Sequence, residues 1–141
     1  DYYVLSLMFM QKLVVSSKHE SLKEIEHFLE QVVVEHNVSD EVFGNMLIGV
    51  TEAVNNAIIH GNKEDDSKKV VLEFEREEGP DKLVFHIHDE GNGFDYNGLP
   101  DPTHPDNLMV VGGRGVFLIK QLADWVVFSN DGSTIELQFR L

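Results

Sequence analysis

Glu52 and Asn56 are the first pair of residues in this 141-residue chain whose types and spacing could do chemistry. They lie four positions apart in a segment of helical periodicity, so their side chains would sit one turn from each other. A carboxylate beside an amide oxygen suits a hard cation such as Mg²⁺, which takes few protein ligands and keeps water and phosphate oxygens. Asn56 could hold the cation, and Glu52 could orient or deprotonate a nucleophile. His60 continues the same face and is expected in a supporting or structural role.

A second candidate segment, Asp89-Glu90-Gly91-Asn92-Gly93-Phe94, follows the strand-like alternation of residues 83–88. It places a carboxylate at the strand end, where Asp89 could accept a hydrogen bond from an exocyclic amine. Gly91 and Gly93 have no Cβ and tolerate positive φ, so the backbone could pass close to a flat ligand. Taken alone, this pattern is equally typical of an ordinary turn.

A third segment, Gly112-Gly113-Arg114-Gly115, directly precedes a short helix expected over residues 116–123. Converging backbone N–H groups, the helix N-terminus and the donors of Arg114 would together suit phosphate oxygens. Taken alone, a glycine cluster is typical of a hinge before a helix. Beside the other two segments, the phosphate interpretation is favoured.

Composition limits the partners of this chain. Lys+Arg 11 against Asp+Glu 25 gives a net charge of −14, which repels nucleic acids and anionic membranes. It would also repel a nucleotide, so a phosphate site would need local positive potential from backbone N–H groups, a cation or an arginine. Cysteine is absent, which excludes disulfides and thiolate metal sites. We find no apolar run long enough to span a bilayer and expect a cytoplasmic protein without membrane partners.

The periodicity predicts one domain over residues 1–141. Ser17-Lys18-His19-Glu20 is typical of a capping box before a first helix, and Ser39 of a cap on a second helix that stops at Gly61. The strands are expected at 8–16, 70–76, 83–88, 125–129 and 134–141. This order predicts an α+β fold, a two-layer α/β sandwich with helices on one face of a mostly antiparallel sheet. The loop at 94–113 is unusually long for a compact domain, as functional loops often are.

The second predicted helix has two different faces. An apolar stripe should pack on the sheet, and it consists of Phe43, Leu47, Val50, Val54 and Ala57. The opposite face is expected to be Asn45, Gly49, Glu52, Asn56 and His60. Solvated faces usually contain better helix formers, so this face is more typical of one that lines a site.

The segments, in this order, resemble the GHKL ATPase superfamily, which has the Bergerat ATP-binding fold. Residues 52–61 resemble its N box, residues 89–94 its first glycine box, and residues 112–115 its second. Gly132-Ser133-Thr134 lies where the family has a Gly-Thr pair before the last strand. Within the superfamily the chain is most similar to the anti-sigma factor serine kinases, because the N box ends Asn-Ala-Ile-Ile-His-Gly.

The resemblance implies roles for individual residues. Glu52 would be the general base, Asn56 would hold Mg²⁺ against the phosphates of ATP, and Asp89 would accept from the adenine N6 amine. Residues 95–112 would form a lid. Ser133 stands where threonine is usual but keeps the hydroxyl, and Arg114 stands at a variable position. The full set of expected nucleotide-binding residues is Asn56, His60, Asp89, Gly91, Gly93, Gly113, Arg114, Gly115, Ser133 and Thr134.

The implied function is that of an ATP-dependent protein serine kinase. It would phosphorylate a STAS-type anti-anti-sigma protein and sequester a sigma factor, and the resemblance also admits a homodimer. A first alternative is an anti-sigma binding module, nucleotide-gated or nucleotide-free, without kinase activity. A second is the catalytic domain of a sensor histidine kinase cut from a longer chain, which the missing initiator Met leaves open.

Overall fold

Within the described residues, five antiparallel strands form one sheet in the order β1-β2-β3-β5-β4. The computed structural model describes residues 11–97 and 114–141, apart from the side chain of Arg114. The strands are β1 (Gln11–Ser16), β2 (Lys69–Glu77), β3 (Lys82–His88), β4 (Trp125–Ser129) and β5 (Thr134–Arg140). The helices are α1 (Ser21–His36), α2 (Asp40–Asn56) and α3 (Arg114–Leu122); a π-helical turn (Ala57–Gly61) continues α2, and a 3₁₀ turn (Asn130–Gly132) joins β4 to β5.

Strand β3 occupies the centre of the sheet, between β2 and β5. Its side chains alternate, so that Leu83, Phe85 and Ile87 are buried beneath the helices. The last residue, His88, pairs with Val71 on one side and Thr134 on the other. The chain therefore leaves β3 at Asp89 in the middle of one end of the sheet.

The predicted architecture is confirmed. Both hairpins form where the alternation indicated, and the three helices pack on one another and on the sheet around a single core that includes Ile25, Leu29, Met46, Val54, Phe74, Ile119 and Phe139. Residues 8–10 of the first predicted strand and residues 98–113 of the predicted loop lie outside the described residues.

Helix α2 begins as the sequence predicts, and the helical run stops at Gly61 as predicted, but its last turn is not α-helical. The Ser39 side chain accepts a hydrogen bond from Val42 N at 3.3 Å, with Asp40 and Glu41 in the first turn. The α-helix stops at Asn56, and the chain continues to Gly61 as a π-helical turn, closed by Asn62 N donating to Ala57 O at 2.8 Å. Single π turns of this kind are often found at functional sites.

The predicted capping box at Ser17 is wrong. The Ser17 hydroxyl donates to Lys68 O at 2.8 Å instead, and α1 begins only at Ser21, without a side-chain cap from Glu20. The buried Ser17 thus satisfies a carbonyl that lies just before β2 and has no ladder partner. The hydrogen bond to this distant carbonyl takes precedence over the local preference of serine for capping a helix.

The predicted orientation of Gly49 is also wrong. Gly49 is buried, and a Cβ there would lie 3.3 Å from Phe139 Cζ, so this residue faces β5 rather than the polar side of α2. A larger residue would push the helix away from the sheet.

Helix α2 with its π turn does pass the length and composition test for a membrane span, contrary to our expectation. Asp40–Gly61 covers 22 residues, and an 18-residue window within it has a mean hydropathy of 1.3. Met46, Val50 and Val54 are fully buried in the core, whereas Ile48 and Ile59 are exposed, and 39% of the apolar window is buried. A helix that packs one face against the core of a domain can pass the same test by length and composition alone.

We expect opposite effects from enlarging two glycines of α2. Gly49→Leu should lower the free energy of unfolding by about 1–3 kcal/mol, because it overpacks the contact with Phe139. Gly44→Ala is the matched control: a Cβ there meets nothing within 4 Å. It should raise stability by about 0.5–1 kcal/mol through helix propensity. Urea unfolding measures both, and an unchanged midpoint for Gly49→Leu would contradict the packing described.

Candidate functional site

The polar face of α2 meets the first turn of α3. A Cβ at Gly115 would lie 3.0 Å from Glu52 Oε2, 3.0 Å from Asn56 Nδ2 and 3.2 Å from Asn56 Oδ1. The carboxylate and the amide therefore lie together beneath the backbone of Gly115, and both side chains are half-buried. Glycine at 115 allows this approach, which brings the predicted N box and the end of the second glycine cluster to one place.

The Asp89 carboxylate lies against the backbone of the π turn. A Cβ at Gly61 would lie 2.4 Å from both Asp89 Cγ and Asp89 Oδ2, so a side chain at position 61 would occupy the space that the carboxylate fills. Gly91 N donates to Asp89 Oδ1 at 2.8 Å, and Asp89 N donates to Ser133 O at 2.9 Å. These contacts set the direction of the carboxylate before any ligand arrives.

The glycines of the first glycine box are required by the protein's own backbone. A Cβ at Gly91 would lie 2.1 Å from Gly61 O, and one at Gly93, whose φ is +79°, would lie 1.8 Å from Asp131 O. Phe94 N donates to Asp131 O at 2.8 Å. The loop after β3 therefore passes between the π turn and the 3₁₀ turn, where side chains would not fit.

A cavity of about 350 Å³ lies between α2, α3 and the ends of β3 and β5. Its wall is mostly apolar, with Ile87 and Ile135 from the sheet, Val116 and Ile119 from α3, and the rings of Phe94 and Phe128. A few polar groups converge on it, including Asn56, Asp89 and Ser133. This size and this mixture are typical of small-molecule sites.

The structure brings most of the predicted residues together. Those that line the cavity are Asn56, His60, Asp89, Gly93, Gly115 and Ser133. Glu52 reaches the same place from the preceding turn of α2, beneath Gly115. The Ser133 hydroxyl donates to Asn130 O at 2.8 Å.

Other predicted residues lie elsewhere. Gly91 packs on the backbone of the π turn and is not in the cavity wall. The Thr134 side chain is buried on the face of the sheet opposite Ile135 and the cavity, and its hydroxyl shares hydrogen bonds of 3.0 Å with His88 Nδ1 and Asn130 Nδ2. Arg114 is the first residue of α3, but its side chain, like all of Gly113 and residues 98–112 of the predicted lid, lies outside the described residues.

Sequence reasoning missed the role of Gly61 and also missed Lys63. Gly61 was interpreted only as a helix stop, yet its missing Cβ makes room for Asp89. Lys63 lines the cavity with a left-handed φ of 58°, and it is the one lysine or arginine among the described lining residues. No periodicity marks a residue in an irregular turn, so only the need for positive charge in this acidic chain could have indicated it.

Burial raises the pKa of the Asp89 carboxyl above its ordinary value. The hydrogen bond from Gly91 N and the charges of His88 and Lys68 act in the opposite direction but do not cancel it. The carboxylate is therefore held with incomplete solvation, and no hydrogen bond from a described residue reaches its Oδ2 atom, which is a suitable acceptor for a donor brought by a ligand.

Comparison with known proteins identifies the family. Residues 15–139 match the histidine kinase-like ATPase domain model, and the chain belongs to this family. The chain is 37% identical over 98 residues to the serine-protein kinase RsbW of Staphylococcus aureus strain MSSA476, and equally to that of strain JH9. The matched segment covers 64% of this chain and 60% of those relatives, which is less than two thirds of their length.

A solved structure supports the fold. The crystal structure of the RsbU and RsbW domains of Rv1364c from Mycobacterium tuberculosis superposes with a TM-score of 0.63, covering 93% of this chain and 32% of that one. The sequence identity is 15%, so this likeness shows the fold alone. The predicted resemblance to the GHKL superfamily and to its serine-kinase branch is confirmed.

We expect Asp89→Asn to stabilise the ligand-free protein at neutral pH. The folded state binds the Asp89 proton more tightly than the unfolded chain does, since the folded pKa is raised. The destabilisation caused by the charged group is therefore present above the folded pKa and disappears below the ordinary value of 3.8. Asparagine removes it while keeping an oxygen that accepts from Gly91 N.

Thermal unfolding at several pH values measures the difference between the variant and the wild type. The melting temperature of Asp89→Asn should exceed that of the wild type at pH 7, and the gap should close as the pH falls. Glu78→Gln, which makes the same charge change in an exposed turn, is the control. A gap that widens on acidification would contradict the raised pKa.

Proposed function

We propose that this protein is an ATP-dependent protein serine kinase that acts as an anti-sigma regulatory factor in the cytoplasm. Its substrate would be a serine hydroxyl of a small STAS-type partner. This proposal rests on the arrangement of one cavity. Asp89 lies at its sheet end, and Asn56 lies beneath the first turn of α3 with Glu52 beside it. A purine nucleotide has the matching chemistry, with an exocyclic amine at one end and phosphates at the other.

The apolar part of the cavity suits the base. Asp89 would accept from the 6-amino group, while Ile87, Ile135 and Phe94 would cover the faces of the ring. The Ser133 hydroxyl, already donating to Asn130 O, would offer its own oxygen as an acceptor. A carboxylate acceptor distinguishes adenine from a purine that carries an oxygen at the same position, because two acceptors repel each other.

The residues at the other end fit a magnesium ion bound with the nucleotide. The described residues contain no group of three or more His, Cys, Asp or Glu that could hold a metal. Mg²⁺ needs few protein ligands when phosphates and water supply the rest, so Asn56 Oδ1 could hold it here. The ion would neutralise charge on the phosphates, and the N–H groups at the start of α3 would add donors. Gly113 and Arg114 are proposed for the same role.

Glu52 would serve as the base. The serine oxygen of the partner would attack the γ-phosphorus while its proton passes to a Glu52 carboxylate oxygen. The bond from the γ-phosphorus to the bridging oxygen would break, and ADP would leave with the electron pair. Catalysis of this kind depends on positioning, which the cavity would supply, and on charge neutralisation, which the bound magnesium ion would supply.

The relatives support the protein substrate. The similar Staphylococcus aureus proteins are named serine-protein kinases, and the shared segment includes most of this chain. We therefore assign the phosphate acceptor to a serine of a separate protein, and extend the proposal to capture of a sigma factor and to a homodimer. Lys63, on the cavity wall, would offset part of the charge of −14 that otherwise repels the nucleotide.

Replacing Glu52 should separate binding from transfer. Glu52→Gln keeps the size of the side chain but cannot take a proton, so phosphotransfer to the partner should fall roughly 10²–10⁴-fold. Affinity for ATP with Mg²⁺ should be retained. Calorimetry measures binding, and transfer of radiolabelled γ-phosphate measures the reaction.

Each outcome of this pair of measurements has a distinct meaning. Unchanged transfer by Glu52→Gln would remove this residue from the base role. Binding of ATP by the wild type without transfer to any STAS protein would favour the nucleotide-gated binding module. Absence of ATP binding would leave only a nucleotide-free module.

Removing the amide of Asn56 should weaken magnesium-dependent binding. In excess Mg²⁺ we expect Asn56→Ala to lower ATP affinity at least about 10-fold, since even outer-shell partners of bound metals contribute 10–100-fold. In a chelator its affinity should approach that of the wild type. Asn55→Ala, a neighbouring half-buried asparagine that does not line the cavity, is the matched control. Equal losses with and without Mg²⁺ would contradict the assignment.

A further inference from the structure

Asn62, the residue after the π turn, has a completely buried side chain whose amide is fully engaged. Its relative exposure is 0%. Asn62 Oδ1 accepts from Glu90 N at 2.7 Å, and Asn62 Nδ2 donates to Lys69 O at 3.0 Å and to Ser17 Oγ at 2.9 Å. Both N–H donors and the carbonyl oxygen are thus used, which is the condition under which a polar side chain is stable in a core.

The position of this amide in the sheet is unusual. Strands β2 and β3 pair as far as Val71 and His88. In that register Val70 would face Asp89, whose N–H is directed to β5, and the next hydrogen-bonded pair would be Lys69 with Glu90. Instead, the Asn62 amide lies between those two residues, taking Glu90 N with its oxygen and Lys69 O with its nitrogen. It therefore substitutes for the bond from Glu90 N to Lys69 O that would have followed in the ladder, and keeps the two backbones apart at this point, while Lys69 N donates to the Glu90 carboxylate.

The separation of β2 and β3 at the Asn62 amide sets the direction of the Asp89 side chain. Asp89 stands between His88, the last residue of β3, and Glu90, whose N–H is held by Asn62. On the other side, Gly61 precedes Asn62 and supplies the backbone against which the Asp89 carboxylate lies. One buried amide thus holds both the chain that carries the carboxylate and the wall that it contacts.

We propose that Asn62 is a positioning residue for base recognition, whose amide ends the β2–β3 ladder and aims the Asp89 carboxylate at the 6-amino group of a purine. This inference rests on the proposed function, in which Asp89 accepts from that amine. Asn62 itself does not line the cavity and would not touch the nucleotide. Asn62 Oδ1, which accepts from Glu90 N, would set the direction of Asp89. Asn62 Nδ2 mainly joins the start of β2 to Ser17 at the end of β1.

The test compares ATP with purine riboside triphosphate, which lacks only the 6-amino group. A hydrogen bond to a charged acceptor contributes a factor of roughly 10–100 in affinity, so the wild type should prefer ATP by that ratio. Asn62→Ala should reduce the preference to below about threefold, toward the loss produced by Asp89→Ala. Partial unfolding raises both dissociation constants equally, so the ratio does not respond to stability alone.

Two variants separate the halves of the amide. Asn62→Asp keeps an oxygen that can accept from Glu90 N and loses the donors, so the folded variant should be less stable yet retain the preference for ATP. Ser17→Ala removes one partner of Asn62 Nδ2 and leaves the bond to Glu90 N, so it should also retain the preference. In the Asp89→Ala background, Asn62→Ala should change the ratio no further, because both act on one interaction.

The outcomes distinguish this inference from the function on which it rests. Equal binding of both nucleotides by the wild type would overturn the assignment of Asp89 as the acceptor for the 6-amino group of the purine. A wild type that prefers ATP, with Asn62→Ala preferring it equally, would overturn only the role of Asn62. If Asn62→Ala does not fold, hydrogen exchange of the Glu90 amide in the ligand-free wild type decides the matter. Protection like that of β3 supports the inference, and exchange at the rate of an unstructured peptide overturns it.

Discussion

The contact between the Asp89 carboxylate and the backbone of Gly61 joins the helical layer to the sheet at the site. The carboxylate lies where a Cβ on residue 61 would be, so helix and strand can approach only because that residue is glycine. Burial of this charge costs stability, as the raised pKa indicates, and the cost is tolerated where a ligand donor would relieve it. The remaining features of the site follow from keeping these two elements in contact: the π turn, the glycine loop and the buried amide of Asn62.

Much of the fold is predictable from local patterns, and the errors have a common cause. Alternation located both hairpins, and Ser39 was correctly identified as a cap, because strand pleat and helix termini are local properties. Ser17 and Gly49 were misassigned because distant partners decide their roles, namely Lys68 O for the hydroxyl and Phe139 for the glycine. A local sequence pattern does not contain the identity of a partner 51 or 90 positions away.

The candidate site was predictable where residue chemistry is distinctive and unpredictable where geometry decides. Glu52, Asn56 and Asp89 were predicted as site residues because a carboxylate or amide on such a helix face or at a strand end is distinctive. Asn56 and Asp89 line one cavity, and Glu52 lies beside Asn56 beneath Gly115. The glycines were identified, but not the different reasons for them. The missing Cβ of Gly115 leaves room for side chains of α2, and that of Gly93 leaves room for a backbone carbonyl. Asn62 was not identified at all, because a single buried asparagine in an irregular turn leaves no periodic signal.

The charge of the chain constrains how the proposed nucleotide can bind. At a net charge of −14, and with Glu52 beside Asn56 under the first turn of α3, the phosphate end of the cavity already contains a carboxylate. A triphosphate without a cation would meet repulsion there, from the nearby Glu52 most of all, since close charges in a partly buried site are poorly screened. A divalent ion held by Asn56 would neutralise part of the phosphate charge and so reduce that repulsion. The proposed mechanism therefore requires the metal for productive binding. Because phosphate oxygens and water would supply the other ligands, one amide oxygen of the protein would be enough to hold the ion.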